Sequence, residues 1–119
     1  MVNMSVTSYA WGDATVVHLD GQLDIDTGGV FEASLRDLMD RSPQRIVIDL
    51  SALTFCDSTG LSSLVLAHGR CMAAGGFLRL AAPTPFLLRV ITAVGLRDRF
   101  PMYTSIAAAI DDDLSGLVL

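Results

Sequence analysis

A chain of 119 residues that is 51% hydrophobic and 18% charged has room for one domain with a sizeable core, and is too apolar for disorder. No apolar run approaches the ~18 residues of a membrane span, and no basic segment followed by an apolar stretch marks a leader peptide. The net charge is −5 and the eight basic residues, all arginines, are scattered, which argues against nucleic-acid or anionic-membrane binding and for a basic protein partner.

In chain order, Ser5–Trp11 and Ala14–Leu19 read as strands around a Gly12-Asp13 hairpin turn, and Asp20-Gly21 reads as a second turn. Asp26 or Thr27 is a candidate cap for a helix over Gly28–Asp40, with Phe31, Leu35, Leu38 and Met39 on one face. Ser42-Pro43 is expected to end it. Arg45–Leu50 is short and apolar, as suits a central strand buried on both faces. A loop through Cys56-Asp57 leads to a helix over Thr59–Ala74, whose stripe reads Leu61, Leu64, Val65, His68 and Met72 and which Gly75-Gly76 closes.

Phe77–Ala81 reads as a short strand. Pro83 and Pro85 introduce a third helix, with Leu87, Val90, Ile91 and Val94 on one face and Gly95 at its end. Phe100–Tyr103 is a candidate last strand, and Thr104 or Ser105 caps a final helix through Ile106, Ile110 and Leu114. Asp111-Asp112-Asp113 opposes the dipole of that helix and predicts fraying. The alternation implies an α/β domain: a mixed sheet of four to five strands, parallel in its later part, packed against about four helices.

The chemistry concentrates in Asp49-Leu-Ser-Ala-Leu-Thr-Phe-Cys-Asp57-Ser58-Thr59-Gly60-Leu61. A buried strand here delivers a short loop to a helix N-terminus, where Asp57, Ser58 and Thr59 are all good capping types. A hydroxyl at that position sits at the positive end of the helix dipole, so a phosphate on Ser58 is tolerated by its own helix and acts outward on whatever docks there. The same residues also read as a plain N-cap. Thr59 is a second, weaker acceptor.

Ser58, Asp57 and His68 contain the residue types of a catalytic triad, but adjacent Asp57 and Ser58 are poorly placed for a relay, His68 falls on the apolar stripe, and no G-x-S-x-G elbow occurs. His18 reads as structural or exposed. Cys56 and Cys71 form no C-x-x-C pair and read as reduced, partly buried thiols, with a redox pair as the alternative. No metal site, cofactor or phosphate-binding loop is expected.

Asp49–Leu61 resembles the signature of the STAS domains of bacterial anti-sigma factor antagonists: a strand ending in Asp-Leu-Ser, an apolar link, then Asp-Ser-Ser/Thr-Gly-Leu. Leu19-Asp20-Gly21-Gln22-Leu23-Asp24 is similar to that family's Gly-Glu-Leu-Asp segment, and the order of elements, Gly75-Gly76 and Val94-Gly95-Leu96 also match. The resemblance covers nearly the whole chain and implies a single STAS domain over residues 1–119 that acts in the cytoplasm. It implies that the unphosphorylated protein binds an anti-sigma factor that is also a serine kinase, freeing the sigma factor. Phosphorylation of Ser58 then abolishes binding, and a serine phosphatase resets the cycle. By this carry-over Asp24 and Asp57 are the acidic positions around the serine, and Thr59, Gly60, Leu61 and Ser62 belong to the docking surface. Ser62, Leu66 and Arg70 face away from the helix stripe, so Leu66 is a candidate contact.

Two positions depart from the pattern: Gln22 replaces a common Glu and Ser62 a common Gly. The alternative reading is a STAS interaction module without a switch, in a lipid-transport or stress-signalling complex. A small hydrolase using Ser58 is the third.

Overall fold

A computed structural model describes residues 3–41 and 45–118. The elements run β1 (Met4–Trp11), β2 (Ala14–Leu23), α1 (Gly28–Arg41), β3 (Arg45–Cys56), α2 (Ser58–Ala73), β4 (Phe77–Ala81), α3 (Pro85–Ala93), β5 (Met102–Tyr103), α4 (Ile106–Asp111) and a 3-10 turn at Leu114–Gly116. The five strands form one sheet in chain order, with β1 antiparallel to β2 and every later pair parallel. This is the expected mixed α/β sheet. Among the described residues, no helix is long and apolar enough to cross a membrane.

Strand alternation divides the core between two faces. Val17, Leu19, Ile46, Ile48, Leu50, Leu78 and Leu80 pack beneath Phe31 and Leu35 of α1, Leu61, Leu64, Ala67 and Cys71 of α2, and Leu87 and Ile91 of α3. On the other face Val16, Val47, Ala81 and Tyr103 meet Ala108 and Ala109 of α4. Three helices therefore cover one face and one short helix covers part of the other.

Several expectations need correction. Asp20-Gly21 is not a turn; β2 runs on to Leu23. β3 likewise continues past Leu50 to Cys56, without the expected loop. The cause is a pair of bulges. Between His18 and Asp20, and again between Gly21 and Gln22, β3 carries one more residue than β2: His18 pairs with Asp49, Asp20 with Ala52, Gly21 with Leu53 and Gln22 with Phe55. Buried Leu50, Leu53 and Cys56 are consequently spaced by three rather than two, which hides the strand from a period-two reading. Gly21 adopts φ +117°, and a Cβ there would lie 2.1 Å from the Asn3 carbonyl oxygen, so only glycine fits the bend.

The entry to α1 is held by Asp24, whose carboxylate accepts from the amides of Asp26 at 3.0 Å and Thr27 at 3.2 Å. The expected cap from Asp26 or Thr27 is replaced by this turn. The Thr27 hydroxyl points back, donating to the Gln22 carbonyl at 2.8 Å and accepting from the Asp24 amide at 2.9 Å. The expected Ser42-Pro43 stop lies outside the described residues.

The buried face of α2 is also rotated from the expected stripe. It runs through Gly60, Leu61, Leu64, Ala67 and Cys71, so Leu61 and Leu64 are buried as expected, whereas Val65 and His68 are half-buried and Met72 is 56% exposed. Small residues line the contact with the sheet, and small residues weigh little in an apolar-stripe reading. In α3, Leu87 and Ile91 are buried, whereas Val94 lies past the helix and is exposed. Thr84 caps α3, with Pro85 in its first turn, and Ser105 caps α4.

α4 ends at Asp111, within the acidic run and short of Leu114, which falls in the 3-10 turn instead of the expected helix. Asp112 takes a left-handed conformation, accepts a hydrogen bond from the Tyr103 hydroxyl and lies 3.9 Å from Arg79. Arg79 also donates to the Ala109 carbonyl at 2.8 Å, which places a cation at the negative end of the helix. Asp113 then caps the 3-10 turn.

Candidate functional site

The site forms where β2 and β3 end together and α2 begins. Asp57 is the N-cap of α2: its backbone is extended and its Oδ1 accepts from the Gly60 amide at 2.8 Å. Ser58 is therefore the first residue of the helix and Thr59 the second, and both are exposed. Their amides belong to the first turn, where no intrahelical acceptor exists.

Gly60 is turned inward. A Cβ on it would fall 2.3 Å from the Leu23 carbonyl oxygen and 2.8 Å from Cys56 Sγ. The same Leu23 carbonyl accepts from the Asp57 amide at 3.3 Å. The missing side chain thus lets the first turn of α2 rest on the end of β2, next to the turn that Asp24 holds. Gly60 is a packing position and not, as the resemblance implied, part of an outer surface.

The acidic positions share one environment. Burial pushes the Cys56 thiol up to about 12, and the carboxylates of Asp57 and Asp24 push in the same direction. Both carboxylates therefore act on this thiol in the same sense. Asp24 Oδ1 is committed to its own turn, so Asp24 shapes the corner and adds negative charge to it.

Beyond Ser58 lies an open groove of about 450 Å³, lined by Ser58, Leu61, Ser62, Val65, Leu66, Val94 and Leu96. Five of these are aliphatic. Leu66 is 54% exposed and Val94 53% exposed, so the groove presents apolar surface to solvent beside the Ser58 hydroxyl. Ser62 does not project into it freely, because its hydroxyl donates to the Ser58 carbonyl at 2.9 Å. Ser63 makes the equivalent bond to the Thr59 carbonyl at 3.2 Å. The first turn is thereby bonded on both sides.

Of the residues singled out in the sequence, the structure brings Ser58, Leu61, Ser62 and Leu66 to one groove, with Asp57 and Thr59 beside it and Asp24 on the adjoining turn. Val65, Val94 and Leu96 were not read as site residues. Val65 and Val94 read as members of the apolar faces of their helices, and Leu96 only as part of the matching string Val94-Gly95-Leu96.

The other chemistry-bearing residues lie elsewhere. His68 is ten residues along α2 from Ser58, roughly 15 Å by helical rise, and its ring meets Phe100 edge-on with centroids 5.4 Å apart. Burial holds its pKa below the ordinary value, with a further push from Arg99. No relay to Ser58 exists in this geometry. His18 Nδ1 donates to Asp49 Oδ2 at 2.8 Å across β2 and β3. Burial draws the Asp49 carboxyl upward, but the bonds from His18 and from Ser51 outweigh it and hold its pKa below the ordinary value.

Cys56 and Cys71 are both buried and unpaired by disulfide. Cys56 sits under Gly60, whereas Cys71 is eleven residues further along α2, roughly 16 Å by helical rise and beyond disulfide reach.

Comparison with known proteins places this architecture. The chain is 25% identical to a candidate anti-anti-sigma factor of Mycobacterium tuberculosis, over 95% of this chain and 78% of that one. The crystal structure of an anti-sigma factor antagonist from Mycobacterium paratuberculosis matches with a TM-score of 0.82 at 28% identity, covering 92% of each chain. A candidate anti-sigma factor antagonist from Thermotoga maritima matches in fold with a TM-score of 0.84 at 21% identity, over 90% of this chain and 92% of that one. Residues 6–109 match the STAS domain as a family, which spans the sheet, the Asp57–Gly60 cap and the groove; the chain belongs to the STAS-domain family.

Proposed function

We propose that this protein is a phosphorylation-switched anti-sigma factor antagonist, with Ser58 as the phosphoacceptor. The observation that carries the reading is the position of Ser58: exposed, at the first residue of α2, on the rim of an apolar groove. The unphosphorylated protein docks an anti-sigma factor through Leu61, Ser62, Val65, Leu66, Val94 and Leu96, with Asp57 and Asp24 supplying negative charge at the edge. That sequesters the anti-sigma factor and frees the sigma factor, and the site of action is the cytoplasm. The chain performs no catalysis of its own. A serine kinase, the anti-sigma factor itself on this reading, writes the modification, and a serine phosphatase removes it.

The physics of the switch lies in which side of Ser58 meets the added charge. A phosphoserine brings about −1.5 to −2 charges. On its own chain that charge meets the positive end of α2 and its first-turn amides, so the fold is retained. On the other side it would be buried against a docked apolar group, next to Asp57. Leaving a charge unpaired in an interface costs on the order of 2–5 kcal/mol, or roughly 30-fold to several-thousand-fold in affinity.

Intact-mass spectrometry before and after ATP, with candidate anti-sigma kinases of the same genome, tests the assignment. One addition of ~80 Da that maps to Ser58 and is absent from Ser58→Ala is the expected result. Binding should be retained in Ser58→Ala and lost in Ser58→Asp. Equal binding by the two variants would sink the proposal.

A further inference from the structure

β1 is the outer strand of the sheet at the end opposite β5, and among the described residues nothing pairs with its free edge. Edge strands in proteins that stay monomeric are commonly blunted by lysines, prolines, bulges or brevity. β1 has none of these. It is eight residues long, Met-Ser-Val-Thr-Ser-Tyr-Ala-Trp, with no charge and no proline, and its register with β2 is unbroken from Met4 to Trp11.

The register also shows which backbone groups are free. The Gln22 amide donates to the Asn3 carbonyl at 2.8 Å, and Trp11 pairs with Ala14 across the two-residue turn. Odd-numbered residues of β1 therefore turn their amides and carbonyls toward β2. Those of Met4, Val6, Ser8 and Ala10 point outward.

We infer that this edge is a self-association surface, on which β1 of a second copy adds antiparallel about a two-fold axis at Thr7. That register sets Met4 opposite Ala10 of the other copy and Val6 opposite Ser8. It satisfies all the outward groups of both strands in about eight hydrogen bonds. The axis stands perpendicular to the sheet, so each face continues as the same face. Met4 and Val6, which pack toward the large core, stay on the helix-covered side. Ser5, Thr7, Tyr9 and Trp11 line the other side, where all four are exposed and α4 packs mainly against β3, β4 and β5.

Tyr9 and Trp11 are 47% and 41% exposed there. In the paired sheet Tyr9 lies opposite Ser5 of the second copy, and Thr7 meets Thr7, a favourable cross-strand pair. A strand without charges is also where two chains of net charge −5 can approach most closely without like-charge contacts. No residue lining the Ser58 groove comes from β1, so the dimer displays two open grooves. The inference does not rest on the Ser58 reading.

Sedimentation velocity from roughly 10 to 500 µM, the range suited to a small and reversible interface, tests it. The weight-average mass should climb from one chain toward two. Thr7→Lys and Thr7→Glu each place like charges in contact at the two-fold, so each alone should stay monomeric, while a one-to-one mixture should form the heterodimer. Thr7 is exposed, and circular dichroism should show both variants folded. Thr7→Cys should form an intermolecular disulfide on mild oxidation, because opposed non-hydrogen-bonded positions lie about 4.5 Å apart at Cα; the buried native thiols should not contribute. A wild-type protein that remains monomeric over the whole range overturns the inference. So does a dimer that persists unchanged in Thr7→Lys, which would place the interface elsewhere.

Discussion

Replacing Gly60 by alanine separates two opposing forces on one helix. Alanine in a helix interior is favoured over glycine by about 0.8–1.0 kcal/mol. At Gly60, however, the new methyl group would lie 2.3 Å from the Leu23 carbonyl oxygen and 2.8 Å from Cys56 Sγ. The nearer neighbour is backbone in the middle of the β2 and β3 ends, and it already accepts from the Asp57 amide. It cannot swing away as a surface side chain would. Overpacking of this kind costs about 1–3 kcal/mol, and a fixed backbone partner puts Gly60 at the upper end of that range. Subtracting the helix gain leaves a net loss of about 2 kcal/mol.

For a chain of this length each kcal/mol moves Tm by roughly 3–5 °C. Gly60→Ala should therefore melt about 6–10 °C lower. Gly69 supplies the control. It lies in the same helix, is exposed, and a Cβ on it meets nothing within 4 Å. Gly69→Ala should raise Tm by about 2–4 °C, from helix propensity alone. Thermal and urea unfolding followed by circular dichroism measure both. The packing argument fails if Gly60→Ala is as stable as the wild type or more so, because the first turn of α2 would then not rest on β2 as described.

Three further outcomes follow from the same corner and the sheet beneath it. Asp57→Ala removes the cap bond to Gly60 and should cost about 1 kcal/mol in urea unfolding, with Asp57→Asn close to wild type; an unchanged midpoint in the alanine variant would remove Asp57 from the cap. Asp49 has a pKa below its ordinary value in the folded chain, so its contribution is complete above the unfolded value of 3.8 and disappears as pH falls through the folded value. The stability difference between wild type and Asp49→Asn should accordingly be constant near neutrality and shrink in acid below that point; a difference that grows in acid contradicts the assignment. Cys56 and Cys71, raised to about 12 and about 11, should resist a thiol reagent at pH 8 in the native protein and react fully in denaturant. Rapid native labelling of either would show that its burial is wrongly described.

Much of the fold was legible because its signals are periodic or local. Ile46, Val47 and Ile48 form a run that suits a strand covered on both faces, and Phe77–Ala81 and the proline before α3 stand out in the same way. What escaped reading was non-local. The second half of β3 shows no alternation, since its buried residues fall at intervals of three, and those intervals make sense only against the bulges in its pairing with β2. The rotation of α2 was missed for a related reason: Gly60, Ala67 and Cys71 are chosen to let a helix approach a sheet, and small residues carry little weight in a hydrophobic pattern. Ser58 and Leu66 could be found on one helix, by spacing from a recognisable cap. Val94 and Leu96 could not, because their place in the groove depends on where α3 ends relative to α2.

That division also explains why Gly60 and Ser58 sit side by side with opposite duties. Asp57 fixes where the helix begins, and Gly60, three residues on, must face the sheet for the helix to lie flat on it. A residue at the first helical position then points away from the sheet, because the turn from Ser58 to Gly60 covers about 200° of the helical wheel. The exposure of Ser58 is thus a geometric consequence of the burial of Gly60. On the proposed reading, a modification at Ser58 changes what the outer face can bind while the inner face, two residues away, keeps its packing. A larger residue at Gly60 would lift the first turn off β2 and displace Ser58 from the groove rim, so Gly60→Ala should weaken partner binding even under conditions where the variant remains fully folded, whereas Gly69→Ala should leave binding unchanged.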